Sequence, residues 1–177
     1  MINPLIIAAV ETRPGWGRLL ISRCPGRTDL DHDLDYDLDA IRRAGASAVV
    51  TLVSDEELDE LGVAAMGAAV RQRDMEWFHL PIEDYNTPDD EWERRWTESG
   101  AQLRALIRGG RTIHLHCRGG CGRAGMTAAR LLTELGAEPA EAIARVRGAR
   151  PCAVETEAQE AAVMAVQPQA DIDATLA

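Results

Sequence analysis

Residues 114 to 126 read His-Leu-His-Cys-Arg-Gly-Gly-Cys-Gly-Arg-Ala-Gly-Met and place thiols, glycines and arginines in one short stretch. Five residues separate Cys117 from Arg123, and three of those five are glycine. Glycine allows successive backbone N–H groups to turn toward one point, which forms a concave site for an anion. A planar guanidinium binds two oxygens of a phosphate at once. The stretch predicts a phosphate-binding loop with Cys117 as a nucleophile beside the phosphate.

The elements on either side of this loop support that interpretation. Residues 112–116 have the pattern of a strand, and a helical pattern begins near Arg123 and ends at Gly136. The N-terminus of a helix carries a partial positive charge, which favours both a bound anion and the thiolate form of Cys117. A thiolate beneath a bound phosphate is in position for in-line attack on phosphorus.

The rest of the chain alternates between strand and helix patterns. Strands are also predicted at residues 5–10, 18–22, 47–53 and 75–82. Helices are predicted between Leu30 and Gly45, after a capping box formed by Ser54 and Glu57, at residues 63–73, at residues 90–110, and in three segments after the loop. This order predicts an α/β fold, with a central, mainly parallel sheet flanked by helices and ligands at the carboxyl ends of its strands. We expect one domain over residues 1–166 and a frayed C-terminal tail over residues 167–177.

Charge and hydrophobic patterning argue against two classes of protein. The 177 residues carry a net charge of −10, which disfavours a general nucleic-acid binder because such a protein needs a basic face. The apolar run at residues 5–10 follows no basic region and is followed directly by Glu11. We therefore expect neither a signal peptide nor a membrane span.

The cysteines show no paired framework in a chain of this length. We therefore expect reduced thiols in a cytoplasmic protein. Within the loop, Cys121 either fills space or acts as a resolving thiol for an oxidised Cys117. The four cysteines are Cys24, Cys117, Cys121 and Cys152.

The loop resembles the His-Cys-x5-Arg signature of the cysteine-dependent protein phosphatases. The resemblance implies a protein-tyrosine-phosphatase-like fold, with Cys117 as the nucleophile and Arg123 as the phosphate clamp. It also implies that His116 is a buried residue that orients the cysteine. The phosphate-binding residues that it implies are Arg118, Gly119, Gly120, Cys121, Gly122 and Arg123.

A second stretch, His-Leu-Pro-Ile-Glu-Asp-Tyr-Asn-Thr-Pro at residues 79–88, resembles the loop on which these phosphatases carry their general acid. The match places the acid at Asp84. A carboxylic acid suits this role because it protonates the departing alkoxide and then, as a carboxylate, activates water. Neighbouring acidic residues are alternatives to Asp84, namely Glu83, Asp89 and Asp90.

Residues 150–160 resemble the downstream phosphatase segment whose glutamines position the hydrolytic water. Gln159 matches one of those glutamines, whereas Glu155 stands where many members have the other. The loop departs from the family pattern at Ala124, where most members have Ser or Thr. That hydroxyl stabilises the thiolate as it leaves the phosphoenzyme, so its absence predicts a slow second step.

Among dual-specificity phosphatases, the chain is most similar to the kinase-associated phosphatase branch, over about residues 18 to 160 and most specifically in the active-site loop. The resemblance implies hydrolysis of phosphotyrosine, or of phosphothreonine and phosphoserine, in a phosphorylated protein or peptide. It implies no cofactor and no metal, and we expect a monomer.

Three alternatives remain open at this point. The first is a catalytically slow or non-enzymatic phosphate-binding module that uses the same loop. The second is a sulfur transferase, although the Cys loop of that class is typically one residue shorter before its arginine. The third is a zinc site, because Cys-x3-Cys spacing beside two histidines could supply four ligands, namely His114, His116, Cys117 and Cys121.

Overall fold

The structure is a computed structural model and describes residues 3–170 of the chain. Its five-stranded sheet has the order β1-β2-β5-β3-β4, and only the β1–β2 pair is antiparallel. The strands are β1 (Ala8–Val10), β2 (Leu19–Ser22), β3 (Ala46–Thr51), β4 (Glu76–His79) and β5 (Thr112–His116). The helices are α1 (Leu34–Arg43), α2 (Asp55–Glu60), α3 (Met66–Arg71), α4 (Asp90–Arg108), α5 (Gly122–Glu134), α6 (Pro139–Ala149) and α7 (Glu157–Met164).

The predicted α/β fold with a mainly parallel sheet is confirmed, and most differences lie at the ends of elements. Strand β1 begins at Ala8 because pairing with β2 starts there, although Leu5 is still buried. The predicted helix between Leu30 and Gly45 is interrupted, since Asp31 has a left-handed φ of 58° and α1 begins only after Asp33. The Asp33 carboxylate caps α1 by accepting a hydrogen bond from the Tyr36 amide. Within the predicted tail, residues 171–177 lie outside the described part of the chain.

Strand β5 is the centre of the molecule, because it lies between β2 and β3 and all five of its residues are buried. Helix α5 packs against β2 and β5, while α6 and α7 pack against α5. Nearly every residue of α5 is buried, including the polar residue Glu134 near its end. That carboxylate accepts hydrogen bonds from Trp96 and Arg104 of α4, which joins the two helices. The strand and helix that frame the 117–123 loop therefore belong to the core.

Two histidines of β5 are buried and bound to hydroxyls on the neighbouring strands. The Nε2 atom of His114 lies 2.8 Å from Ser22 Oγ on β2, and the Nε2 atom of His116 lies 2.7 Å from Thr51 Oγ1 on β3. Burial disfavours the imidazolium form of both side chains. It lowers the pKa of His116 to about 4 and that of His114 well below its usual value. Both histidines are therefore neutral at physiological pH.

The buried His116 predicts an acid-sensitive fold. Between about pH 6.5 and pH 4, the unfolded chain binds a proton at this position and the folded chain does not. The free energy of unfolding should therefore rise with pH across that window and fall on acidification, by up to about 3 kcal/mol for this one side chain. Urea unfolding at a series of pH values should show that the free energy of unfolding falls less on acidification for His116→Gln than for the wild-type chain. Parallel pH dependences in the two proteins would contradict this explanation.

Candidate active site

Cys117 lies at the carboxyl end of β5, where the chain leaves the sheet and turns into α5. Its side chain is buried and its thiol is free. Residues 117–123, for which the sequence predicts phosphate binding, are called the phosphate loop below, and Gly122 is the first residue of α5. Because β2 and β3 run parallel to β5, their carboxyl ends flank the loop on both sides. The strand–loop–helix arrangement predicted from the sequence is therefore present.

The carbonyl groups of the phosphate loop are held on its outer side by hydrogen bonds from other parts of the chain. A trans peptide directs its C=O and N–H to opposite sides, so each carbonyl held outside directs the next N–H inward. The amides of residues 119–122 therefore point away from these donors, the arrangement that an anion cradle requires. The bonds are Cys24 N to Arg118 O (3.1 Å), Arg27 Nη1 to Arg118 O (3.3 Å), Arg150 Nη2 to Gly119 O (2.8 Å), Arg150 Nε to Gly120 O (2.6 Å) and Val154 N to Cys121 O (3.3 Å).

Two glycines of the loop are required by close packing. Gly120 has a left-handed φ of +74°, and a Cβ there would lie 2.4 Å from the carbonyl of Ser22. A Cβ on Gly122 would lie 2.9 Å from the side chain of Gln159 and 3.0 Å from that of Glu155. The glycines therefore allow both β2 and the segment before α7 to approach the loop.

The guanidinium of Arg123 is buried, with a residue exposure of only 1 %, and it is surrounded by acceptors. Its Nη1 and Nη2 atoms donate to the two carboxylate oxygens of Glu57 at 2.8 and 2.9 Å. Nη2 also lies 3.1 Å from Asp84 Oδ1, and Nη1 donates to the carbonyl of Ile82 at 2.9 Å. Burial alone would lower the pKa of Arg123, but the hydrogen bond and charge of Glu57 outweigh it and raise that pKa. The Nε atom is buried without a hydrogen-bond partner among the described residues.

Glu57 is a residue of this site that the sequence interpretation missed. The predicted capping box is present, since Ser54 Oγ accepts from the Glu57 amide and Glu57 Oε2 accepts from the Ser54 amide. The same carboxylate also pairs with Arg123. Burial alone would raise the pKa of Glu57, but the hydrogen bonds from Arg123 and the Ser54 amide outweigh it and lower that pKa. Because 66 positions separate Glu57 from Arg123, no local pattern could have connected them.

Asp84 lies on the loop between β4 and α4, and its half-exposed side chain reaches Arg123. The competing acidic residues have other partners. The Glu83 carboxylate accepts a hydrogen bond from the side-chain Nδ2 of Asn86. Asp89 caps α4 by accepting from the Trp92 amide, and Asp90 lies in the first turn of that helix. Among the four acidic residues proposed from the sequence, Asp84 is the one that lies at the pocket and contacts Arg123.

The first turn of α7 and the residues just before it form another side of the site. Gln159 is buried and forms a capping box with Thr156, while its Nε2 donates to the carbonyl of Asn86 at 3.3 Å. Glu155 lines the pocket itself. The resulting cleft has a volume of about 210 Å³. Its lining residues are Arg27, Asp84, Tyr85, Cys117, Arg118, Gly119, Cys121, Gly122 and Glu155.

The prediction that all four cysteines are free thiols is wrong. Cys121 forms a disulfide with Cys152, across a separation of 31 residues. Cys121 is thus neither a space-filling residue nor a free thiol beside Cys117. The pairing arises because α6 packs on α5 and returns the chain to the phosphate loop, which residue spacing does not reveal. Cys24 is free and buried, and burial raises its pKa to about 12.

The remaining predicted residues have the following positions. The side chain of Arg118 extends to Glu60, with 3.3 Å between Nη1 and Oε2, so its guanidinium pairs with α2. His116 Nδ1 lies 3.3 Å from the carbonyl of Cys117, consistent with an orienting position. Ala124 is fully buried. The nearby hydroxyl of Thr127 donates to the carbonyl of Arg123.

The zinc alternative would need four side chains to converge on one point. His114 and His116 instead bind Ser22 and Thr51, and Cys121 is disulfide-bonded. Within residues 3–170, no group of three or more histidine, cysteine or acidic side chains is arranged to hold a metal ion. In the same part of the chain, no helix is long and apolar enough to cross a bilayer.

Comparison with known proteins connects this site to one family. The family model described as the Swiss Army Knife protein DSP-PTPase phosphatase domain matches residues 31–163. Among solved structures, Tk-PTP in its active form is 31% identical with a TM-score of 0.62, over 89% of this chain and 93% of that one. Kinase-associated phosphatase, with its catalytic-site cysteine replaced by serine, is 24% identical with a TM-score of 0.80, over 91% of this chain and 93% of that one. A putative protein tyrosine phosphatase from Leishmania major is 21% identical with a TM-score of 0.67, over 94% and 99% of the two chains. A search of curated proteins gave no match.

The Glu57–Arg123 pair predicts a stability effect that a surface pair on the same helix should not have. Glu57→Gln leaves the buried Arg123 charge without its main counter-ion, so the free energy of unfolding should fall by about 2 kcal/mol. Glu60→Gln serves as the matched control, because Glu60 is exposed and its pair with Arg118 is a surface pair. Its effect should stay within about 0.5 kcal/mol. Urea unfolding at pH 7 measures both, and equal losses in the two variants would refute the assigned role of Glu57.

Proposed function

The chain belongs to the DSP-PTPase phosphatase family, and on that premise we propose that it hydrolyses phosphotyrosine, with phosphothreonine and phosphoserine as a second substrate class, through a cysteinyl-phosphate intermediate. The proposed substrate is a phosphorylated protein or peptide. Cys117 is the proposed nucleophile, Arg123 the phosphate clamp, and Asp84 the general acid and base.

In the first step, the thiolate sulfur of Cys117 attacks phosphorus as the bond between phosphorus and the leaving oxygen breaks. The inward amides of the loop would hold the three remaining phosphoryl oxygens, on which negative charge accumulates. Asp84 would give its proton to the leaving oxygen, which departs as an alcohol or phenol. The step yields phosphocysteine and an Asp84 carboxylate.

The contacts of Arg123 support a specific order of events at substrate binding. Besides Arg123, Glu57 is held by the Ser54 amide, whereas among the described residues the further donor to Asp84 is the Tyr85 amide on its own loop, so a phosphate would displace Asp84 more readily than Glu57. The phosphate could then accept one hydrogen bond from Nη2 and one from Nε, which has no partner among the described residues. This is the bidentate geometry in which arginine binds oxyanions. Asp84, released from Arg123, would then lie beside the bound phosphate, where its proton can reach the leaving oxygen.

In the second step, water attacks the phosphocysteine, Asp84 takes a proton from that water, and inorganic phosphate leaves. Gln159 is the proposed water-orienting residue, because it is buried directly beside Gly122. Glu155 lines the same pocket with a carboxylate, which repels a phosphoryl group instead of donating a hydrogen bond to it. The Glu155 carboxylate and the missing hydroxyl at Ala124 are both expected to slow the second step.

The single observation that carries the proposal is the buried Arg123 guanidinium, whose Nε has no partner among the described residues. A buried N–H group of this kind costs free energy unless a ligand satisfies it. A site that only binds phosphate would share this feature. It would not turn substrate over, so kinetics separate the two functions.

Hydrolysis of an aryl phosphate by the wild type, Cys117→Ser and Asp84→Asn tests the proposal. Cys117→Ser should lose activity by at least about a thousandfold, since serine is a much poorer nucleophile at neutral pH. With an alkyl phosphate as a second substrate, Asp84→Asn should lower the rate of hydrolysis by about a hundredfold. The rate should fall far less with nitrophenyl phosphate, because nitrophenolate needs no proton to leave. Vanadate should inhibit the wild-type enzyme.

Glu83→Gln is the matched control for Asp84, because it removes the neighbouring carboxylate on the same loop, and it should keep the wild-type rate. Activity that survives Cys117→Ser would refute the mechanism. Binding of vanadate without any turnover by the wild type would support the non-enzymatic module, whereas loss of activity with a chelator would point to a metal.

Ala124 predicts that hydrolysis of the phosphoenzyme is slower than its formation. A rapid burst of phenol product, in an amount close to that of enzyme, should therefore precede the steady state in stopped-flow experiments at high enzyme concentration. Ala124→Ser would supply the missing hydroxyl and should raise the steady-state rate by about tenfold while reducing the burst. A linear time course for the wild-type enzyme would be inconsistent with a slow second step.

A further inference from the structure

Residues 150–154, between α6 and α7, form a second layer around the outside of the phosphate loop. We name this segment the outer clamp. We propose that the outer clamp presets the phosphate loop for anion binding, with Arg150 as a positioning residue, and that the Cys121–Cys152 disulfide makes this presetting sensitive to redox state. The inference rests on the proposed function only in taking a phosphate-like anion as the ligand.

Arg150 fixes the orientation of two consecutive peptide groups in the loop. Its Nη2 and Nε atoms donate to the carbonyls of Gly119 and Gly120 at 2.8 and 2.6 Å. Each carbonyl held outside turns the following amide, of Gly120 or Cys121, toward the anion. If either peptide flipped, a carbonyl oxygen would face the phosphate and repel it. Glycine makes such flips easy, so these two peptides need an external restraint.

The surroundings of Arg150 favour this role over a surface ion pair. Within residues 3–170, Arg150 has no carboxylate partner, and the hydrogen bonds of its guanidinium go to the phosphate loop. Burial and the nearby charge of Arg23 lower the pKa of Arg150, which agrees with a cation that lacks a counter-ion. Arg147 differs, because it pairs with Glu160 and bonds to carbonyls of the clamp itself.

The disulfide joins the same segment to the next residue of the loop. Cys152 is bonded to Cys121, and two positions later the Val154 amide donates to the Cys121 carbonyl at 3.3 Å. Ala153 packs directly over Gly125, where an added Cβ would lie 2.7 Å from the Ala153 Cβ. The clamp is thus attached to the loop by a covalent bond and three hydrogen bonds and to α5 by close packing. Of these attachments, the covalent bond is the one that a thiol can break.

Reduction of this bond by a dithiol gives two thiols, at Cys121 and Cys152, while the dithiol becomes a cyclic disulfide. Two electrons and two protons pass to the protein, and no atom of the phosphate loop backbone changes. The proposed reductant is a dithiol of the thioredoxin class, which opens protein disulfides by thiol–disulfide exchange. The reduced loop would keep Arg150 but lose the covalent tie that holds the clamp against it, and it should bind anions less tightly.

The test measures tungstate binding by calorimetry in the Cys117→Ser background, so that oxidation of the nucleophile plays no part. Treatment with dithiothreitol should weaken tungstate affinity by roughly three- to tenfold, the loss expected when a preorganised loop gains freedom. A mass increase of about 2 Da confirms that the disulfide has opened. The matched control, Cys117→Ser/Cys152→Ser, should bind at the weaker level with or without dithiothreitol.

Arg150→Met in the same background should weaken tungstate binding by about tenfold, and Arg150→Lys should recover part of it, because a lysine can reach one carbonyl. Arg145→Met is the control on the preceding helix, α6, since Arg145 bonds to the carbonyls of Glu11 and Thr12 and its loss should leave the affinity unchanged. Thermal unfolding of each sample tests whether the protein is still folded when tungstate affinity falls. A positioning role predicts weaker binding by a folded protein, whereas a merely structural role predicts weaker binding only together with a lower unfolding temperature.

Equal tungstate affinity before and after a confirmed reduction would overturn the redox part, and unchanged affinity in Arg150→Met would overturn the positioning role. Absence of tungstate binding in every state would refute the anion-binding loop and with it the proposed function. The failure of the inference is therefore distinguishable from the failure of the function on which it rests.

Discussion

The burial of one positive charge organises this site. Moving an arginine out of water costs several kcal/mol unless carboxylates and carbonyls replace the lost hydration. Arg123 is 1 % exposed, and the acceptors named above come from two separate places in the chain. Glu57 belongs to α2, whereas Asp84 and the carbonyl of Ile82 belong to the loop after β4. Satisfying this cation therefore brings the acidic loop and α2 to the end of β5.

The phosphate loop depends on a complementary constraint, which acts on its outer surface. A ring of inward N–H groups is stable only if the carbonyls on the opposite side have donors of their own. Those donors come from the turn after β2, through Cys24, and from the segment after α6, through Arg150 and Val154. The outer surface of the phosphate loop is thus held by donors from elements outside the loop.

The parts of the site that follow from local pattern were predictable from the sequence. A strand, a glycine-rich turn and a helix in succession predicted the phosphate loop, and Asp84 was found by a motif on its own loop. Glu57, Arg150 and the Cys121–Cys152 disulfide were not. Their partners lie 66, 30 and 31 positions away in the sequence. These residues come into contact only when the helices pack around β5. Periodicity reports which face of an element is buried but not which distant side chain it meets there.

The two departures from the family pattern act on the same half of the proposed reaction. Ala124 removes a hydroxyl that would stabilise the departing thiolate, and Glu155 places a carboxylate where an amide would orient water. Neither side chain donates a hydrogen bond to the phosphate in the first step, so the cradle and Arg123 can still stabilise attack by Cys117. In the proposed reaction both changes slow the hydrolysis of phosphocysteine, and the Glu155 carboxylate also opposes the binding of the phosphoryl group. Under that proposal, the lifetime of the phosphoenzyme would govern turnover.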